Sequence, residues 1–102
     1  MEIRILPAAR ARLLEIWSYT ESTWGEAQAD LYVSELVAAI RRHAANRDRW
    51  KPVLHPSLRG VYRTRQALHF LFFKELGDGT IGVISILHES MDIPARLRDD
   101  TE

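Results

Sequence analysis

His88 and Glu89, followed by Asp92, put an imidazole and two carboxylates into one short stretch. With His69 they supply the donor types of a zinc site or of general acid–base catalysis. Tyr62 beside Arg63 is a second candidate, a proton-transfer group next to a phosphate clamp, as a nuclease needs. Both sets have plainer readings. A histidine at a strand end hydrogen-bonds the sheet edge, and acids just after it shape a turn. Tyr62 fits a strand ladder beside a solvated charge, and no second acid–base group lies near it in sequence, so the ladder reading is preferred. The chain has no phosphate-cradling glycine loop, no HExxH and no Gly-x-Ser-x-Gly elbow. It also has no cysteine, which removes thiol catalysis, disulfide scaffolds and Cys-type zinc sites together. No catalytic residue, metal or cofactor is therefore expected.

The charge is balanced overall but unevenly placed. Lys and Arg number 14, as do Asp and Glu, for a formal net charge of zero. Neutrality argues against a protein whose main task is gripping phosphate backbones, since that affinity comes from clustered cations. Residues 41–65 nevertheless hold eight basic side chains and only Asp48 as an acid, a net +7 against −7 elsewhere. Arg41, Arg42, Arg47 and Arg49 fall where a helix should end and complement its macrodipole. Arg59, Arg63 and Arg65 lie beyond that helix and are better placed to meet an acidic partner or a phosphate.

These side chains must be positioned by few elements, because 102 residues make one small domain. Glu2 to Leu6 alternates briefly and stops at Pro7, which predicts a short strand and then a helix with proline in its first turn. Leu13, Ile16, Trp17 and Thr20 recur at helical spacing up to Trp24, and Gly25 breaks the pattern. Ala29, Val33, Leu36, Ile40 and Ala44 give a second helix over 26–45, with Asn46 as a left-handed cap. The two helices should form an antiparallel hairpin over about 7–46. Trp17 belongs to the buried stripe, whereas Trp24 and Trp50 stand at helix ends where partial exposure is expected. Residues 46–58 carry Pro52 and Pro56 without a period and read as a connection. Strands follow at 60–65, 68–76 and 80–88, a sheet region of about 58–89 before a tail of 90–102. No apolar run approaches the ~20 residues of a membrane span, and the N-terminus lacks a signal-peptide layout, so a cytoplasmic protein is expected.

Gly77-Asp78-Gly79 marks a tight hairpin. A two- or four-residue loop sets Phe73 opposite Ile84, Leu71 opposite Ile86 and His69 opposite His88, whereas a three-residue loop slips that register. His69, Leu71, Phe73, Ile84, Ile86 and His88 then share one face, and Phe70, Phe72, Lys74, Val83, Ser85 and Leu87 the other. Both faces are apolar and the helix hairpin covers only one. The second must be closed by a curled sheet, the 46–58 connection or the tail, or by another polypeptide.

Three stretches carry a family resemblance. Ile86-Leu87-His88-Glu89-Ser90-Met91-Asp92-Ile93-Pro94-Ala95-Arg96-Leu97 is similar to the LHxxMD, proline and Arg-Leu ending of ParE-type toxins. Arg59-Gly60-Val61-Tyr62-Arg63 is similar to the entry to their second strand, and His69-Phe70-Leu71-Phe72-Phe73-Lys74 to a strand of the form HxxFY followed by a basic residue. In this order the chain resembles, over nearly its whole length, the RelE/ParE superfamily of type II toxin–antitoxin toxins. The resemblance implies a single α+β toxin domain over 1–102, with a short N-terminal strand, an antiparallel helix hairpin and a three-stranded antiparallel sheet. It implies a cognate antitoxin, ParD-like or other, lying across the toxin in a hetero-oligomer. ParE-type members are taken to poison DNA gyrase and would need no catalysis of their own. RelE-type members cut messenger RNA on the ribosome with sheet cations and a C-terminal tyrosine. Here the last tyrosine is Tyr62, so the gyrase reading is favoured, with no sequence-specific nucleic-acid binding expected. Ser90 departs from the family by standing where many ParE-type chains carry arginine. Arg59, Arg63, His88, Glu89 and Met91 are the target-contact candidates. Trp24, Phe70 and Phe72 are those for the antitoxin. The ribonuclease alternative would use Tyr62, Arg63 and His69. A third reading is a non-toxic interaction module of the same fold.

Overall fold

The computed structural model describes residues 2–101. Strand β1 (Ile3–Ile5) leads into α1 (Pro7–Trp24) and α2 (Glu26–Ala45), and a short β2 (Lys51–Pro52) lies between single 3₁₀ turns at 47–49 and 56–58. Then come β3 (Tyr62–Gln66), β4 (His69–Glu75), β5 (Ile81–His88) and a C-terminal helix α3 (Ile93–Thr101). The five strands form one sheet in the order β1-β5-β4-β3-β2, antiparallel except that β1 runs parallel to β5. The three expected strands are thus its centre, flanked by β1 on one edge and by part of the 46–58 connection on the other. Among the described residues no helix is long and apolar enough to cross a membrane.

The helix hairpin has its expected bounds. Pro7 opens α1 without needing an amide donor, and Gly25 joins the helices at φ +93°, a backbone setting that side chains with a Cβ resist. Its amide closes α1 on Glu21 O and its carbonyl accepts from Ala29 N at the start of α2. Leu13, Leu36, Ile40 and Ala44 pack against Leu71, Phe73, Ile81, Val83 and Ile86 in the larger core. Trp17 lies beside this stripe, half-buried, and donates from Nε1 to Asp30 Oδ1 at 2.8 Å, which ties α1 to α2. Asn46 is not a left-handed cap: at φ −107° and ψ 74° it passes the chain into the 47–49 turn.

The β4–β5 hairpin corrects the expected register in one place. The loop has three residues, since Leu76 N donates to Thr80 O (2.8 Å) and Gly79 N to Leu76 O (3.1 Å), with Gly79 at φ +83°. Near the turn the pairing is therefore shifted by one, and Phe73 faces Val83, not Ile84. A β-bulge then absorbs Ile84 as the extra residue and restores Leu71↔Ile86 and His69↔His88. As a consequence Val83 joins the hairpin-side core, while Ile84 joins Phe72 and Leu87 on the opposite face.

That opposite face is not open. The tail folds into α3, which sets Leu97 on Phe72, Ile84 and Leu87, while Leu58 and Val61 close the side. Phe72 is 1% exposed, so the surface role expected for it is withdrawn. A polar clamp holds α3 down. Arg12 of α1 grips Asp100 from Nε and Nη2 at 2.9 and 3.0 Å, and the Ser85 hydroxyl donates to the same carboxylate. The Asp100 hydrogen bond is the main cause raising the Arg12 pKa.

Candidate functional site

A groove of about 1000 Å³ opens between the tip of the helix hairpin and the far end of β4–β5. α1 contributes Ile16 and Tyr19, α2 contributes Tyr32, and the strand ends contribute Leu68, His69 and His88. Its rim holds large apolar side chains in water: Tyr19 is 73% exposed, Trp24 71%, Leu68 51% and Met91 37%. Single exposed apolar residues are ordinary, but several converging on one concave surface mark a binding site.

The groove floor is polar. The His69 and His88 rings meet edge to face at 5.3 Å, and Tyr32 Oη shares a 3.3 Å hydrogen bond with His69 Nδ1. Burial, and then the nearness of His88, push the His69 pKa down, while burial raises that of Tyr32. His88 Nδ1 accepts from Ser90 N at 3.1 Å. The expected metal-type constellation does not assemble. Glu89 turns away to pair with Arg65, and Asp92 starts α3, its backbone carbonyl accepting from Arg96 N at 3.0 Å and its carboxylate from Ala95 N at 3.5 Å. Among the described residues no three His, Cys, Asp or Glu side chains cluster in a way that could hold a metal.

Candidates from the sequence fall on three surfaces. Trp24, His88 and Met91 line the groove. Phe70, half-buried, lies on the opposite face under two guanidinium groups, Arg63 and Arg65, each 5.3 Å from its ring centroid, and Glu89 joins this set through Arg65. Arg59 lines a separate, smaller depression beside α3. Alternation also divides the nuclease candidates. Tyr62 packs at 5.6 Å from Trp50, which itself stacks on Phe73 at 5.1 Å in the hairpin-side core. Arg63 points to the other face, and His69 lies at the far end of the neighbouring strand, four pairs from the Tyr62↔Phe73 pair. Tyr19, Tyr32 and Leu68 were missed as groove residues. The available signal was that Tyr19 falls off the Leu13, Ile16, Thr20 stripe and so cannot serve the core.

The sequence matches known toxins, and the architecture matches a solved structure. The profile of the family described as "ParE toxin of type II toxin-antitoxin system, parDE" matches residues 3–93. Toxin ParE1 of Mycobacterium tuberculosis is 42% identical over 92 residues, covering 89% of this chain and 92% of that protein. Toxin ParE of Escherichia coli is 37% identical over 93 residues, covering 89% and 87%. In fold, the chain is similar to a structure of the chromosomal ParDE system of P. aeruginosa, at a TM-score of 0.73 and 21% identity, covering 86% of this chain and 95% of that one. The chain belongs to the ParE toxin family of type II toxin–antitoxin systems.

Proposed function

We propose that this toxin arrests growth by trapping DNA gyrase in its DNA-cleaved state, and that a cognate antitoxin silences it by laying an apolar segment in the groove. The separation of Tyr62, Arg63 and His69 carries the first part, because a nuclease needs its acid–base and phosphate-binding groups around one scissile bond. Poisoning needs no such convergence. It requires only that the protein bind the cleaved state better than the resealed one. Arg63 and Arg65 over Phe70, with Glu89 paired to Arg65, form the exposed charged surface we assign to the target, and Arg59 in the separate depression beside α3 is a second candidate contact.

The groove supports the antitoxin assignment. The P. aeruginosa structure is of a ParDE toxin–antitoxin system. Here Trp24, Tyr19 and Met91 form the apolar anchor points that a partner helix or strand would bury. In this reading Trp24 is again assigned to the antitoxin, His88 and Met91 are reassigned from the target surface to the antitoxin groove, and Phe70 is reassigned from the antitoxin to the target surface. A gyrase target places the site of action in the cytoplasm.

The test is to incubate the purified toxin with gyrase, supercoiled plasmid and ATP, then release trapped complexes with detergent and protease. Linear DNA that disappears on adding antitoxin is the expected result. Intact plasmid, from protein that is folded and stops growth in cells, overturns the gyrase assignment. Messenger RNA cut in those cells would bring back the ribonuclease reading, with Tyr62→Phe as its decisive variant. Unimpaired growth on induction without antitoxin would leave an interaction module.

A further inference from the structure

We propose that the depression between the 56–58 turn, the end of β4 and the last turn of α3 is a phosphate-binding site. It encloses about 330 Å³. Three cationic residues from three separate segments line it: Arg59 after the turn, Lys74 on β4 and Arg98 on α3. They are far apart in the chain, so tertiary folding brings them together and no basic run accounts for the cluster.

Like charges gathered in one depression repel, and the usual remedy is an interleaved carboxylate. Elsewhere the fold supplies one: Arg4 meets Asp78, Arg12 meets Asp100, Arg47 meets Glu75 and Arg65 meets Glu89. Among the described residues no carboxylate lines this depression and none pairs with Arg59, Lys74 or Arg98. Lys74 is half-buried, its side chain forming part of the wall. The α3 macrodipole explains Arg98 alone, since a cation suits the last helical turn.

The missing counter-charge is best supplied by an anion carrying more than one negative charge. A single carboxylate leaves most of the cluster unneutralised, whereas a phosphate offers a near-dianion with several oxygens for the forked guanidinium groups. Buried Leu58 and Val61 border the depression, and apolar surroundings strengthen charge-assisted hydrogen bonds. Thr101 Oγ1 already donates to Arg98 O, which quiets one of the helix-end carbonyls that would oppose an anion. The recognised chemistry is the phosphate group itself, either as the free ion or at the end of a nucleotide.

Thermal unfolding and amide NMR of the full chain, at ionic strength held constant with sodium chloride, test this with inorganic phosphate, AMP and adenosine as probes. Expected is a rise in Tm of about 5 °C or more once phosphate exceeds its dissociation constant roughly ten-fold, with shifts at the Lys74, Arg98 and Thr101 amides. Lys74→Gln and Arg98→Gln should each weaken the response at least five-fold, while Arg41→Gln on α2 should leave it intact. Two variants are used so that the loss of fold in one leaves the other decisive. AMP equal to phosphate identifies the free ion as ligand, and AMP at least ten-fold tighter with adenosine silent identifies a nucleotide. Phosphate acting no more than matched chloride, adenosine acting as well as AMP, or both variants responding fully would overturn the proposal.

Discussion

Replacing Arg12 with alanine should loosen the C-terminal helix more than any surface charge change of similar size. The Arg12 and Asp100 side chains are only 13% and 9% exposed and make a two-pronged contact. Removing one partner of a buried pair costs about 3–5 kcal/mol, because the other charge is stranded, whereas an exposed pair is worth about 0–1 kcal/mol. Ser85 still donates to Asp100 after the substitution, which holds the loss to about 2–4 kcal/mol. The Arg12–Glu15 pair adds little, since Glu15 is well exposed. For a domain of this size that loss lowers Tm by about 10–25 °C. Urea unfolding of the wild type, Arg12→Ala and the double variant Arg12→Met, Asp100→Leu measures it. The double variant should recover much of the loss, since an apolar pair of similar volume can replace a buried ion pair. A shift below about 0.5 kcal/mol for Arg12→Ala, or a double variant no better than the single, would refute the view that this clamp holds α3 on the sheet.

Three further outcomes are expected. Trp24→Ala should weaken antitoxin binding at least ten-fold, measured by titration calorimetry, while changing stability by no more than about 0.5 kcal/mol, because the indole is exposed in the free toxin. Deleting Ile84 should remove the bulge but leave Ser85, Ile86 and Leu87 opposite Phe72, Leu71 and Phe70 on their present faces, so urea unfolding should stay cooperative at a cost of about 2–5 kcal/mol for the lost apolar burial, whereas Ile84→Val should cost only about 0.5–1.5 kcal/mol. Stability should fall as pH drops below about 6.5. His43 and His69 both have folded pKa values lowered, chiefly by burial, so the unfolded chain takes up protons first. The loss starts near the unfolded value, levels off below the folded one and is absent above pH 7.5, as urea midpoints across this range would show, and His69→Gln should flatten part of the slope.

The helix hairpin was legible because its signals are local. Pro7 and Gly25 bracket α1, and the buried positions of α2 recur with the helical period, so neither required knowledge of a partner element. The register far from the β4–β5 turn was readable too, though it holds because a three-residue loop and a bulge cancel. The bulge left no trace in the residues: every position from Ile81 to Leu87 is buried, so no polar alternation marks where the faces exchange. The groove was only half visible. Trp24 announced itself by standing at a helix end, whereas Tyr19 and Leu68 become groove residues only because the hairpin tip comes to rest over the strand ends.

The C-terminal helix shows most clearly where local information stops. Asp92 and Pro94 are fair helix-start signals, but over nine residues α3 has Ile93 and Leu97 as its large apolar side chains, too little to predict a packed element. It is held by Leu97 on the far side of the sheet and by Asp100 gripping Arg12, 88 residues away in sequence. By itself the sequence determined the hairpin, the central strands and the toxin family, because periodicity, turn residues and motif spacing are carried along the chain. Tertiary structure decided which face stayed open, burying Phe72 and leaving the groove at the hairpin tip, because that outcome depends on contacts between segments whose residues carry no mark of one another.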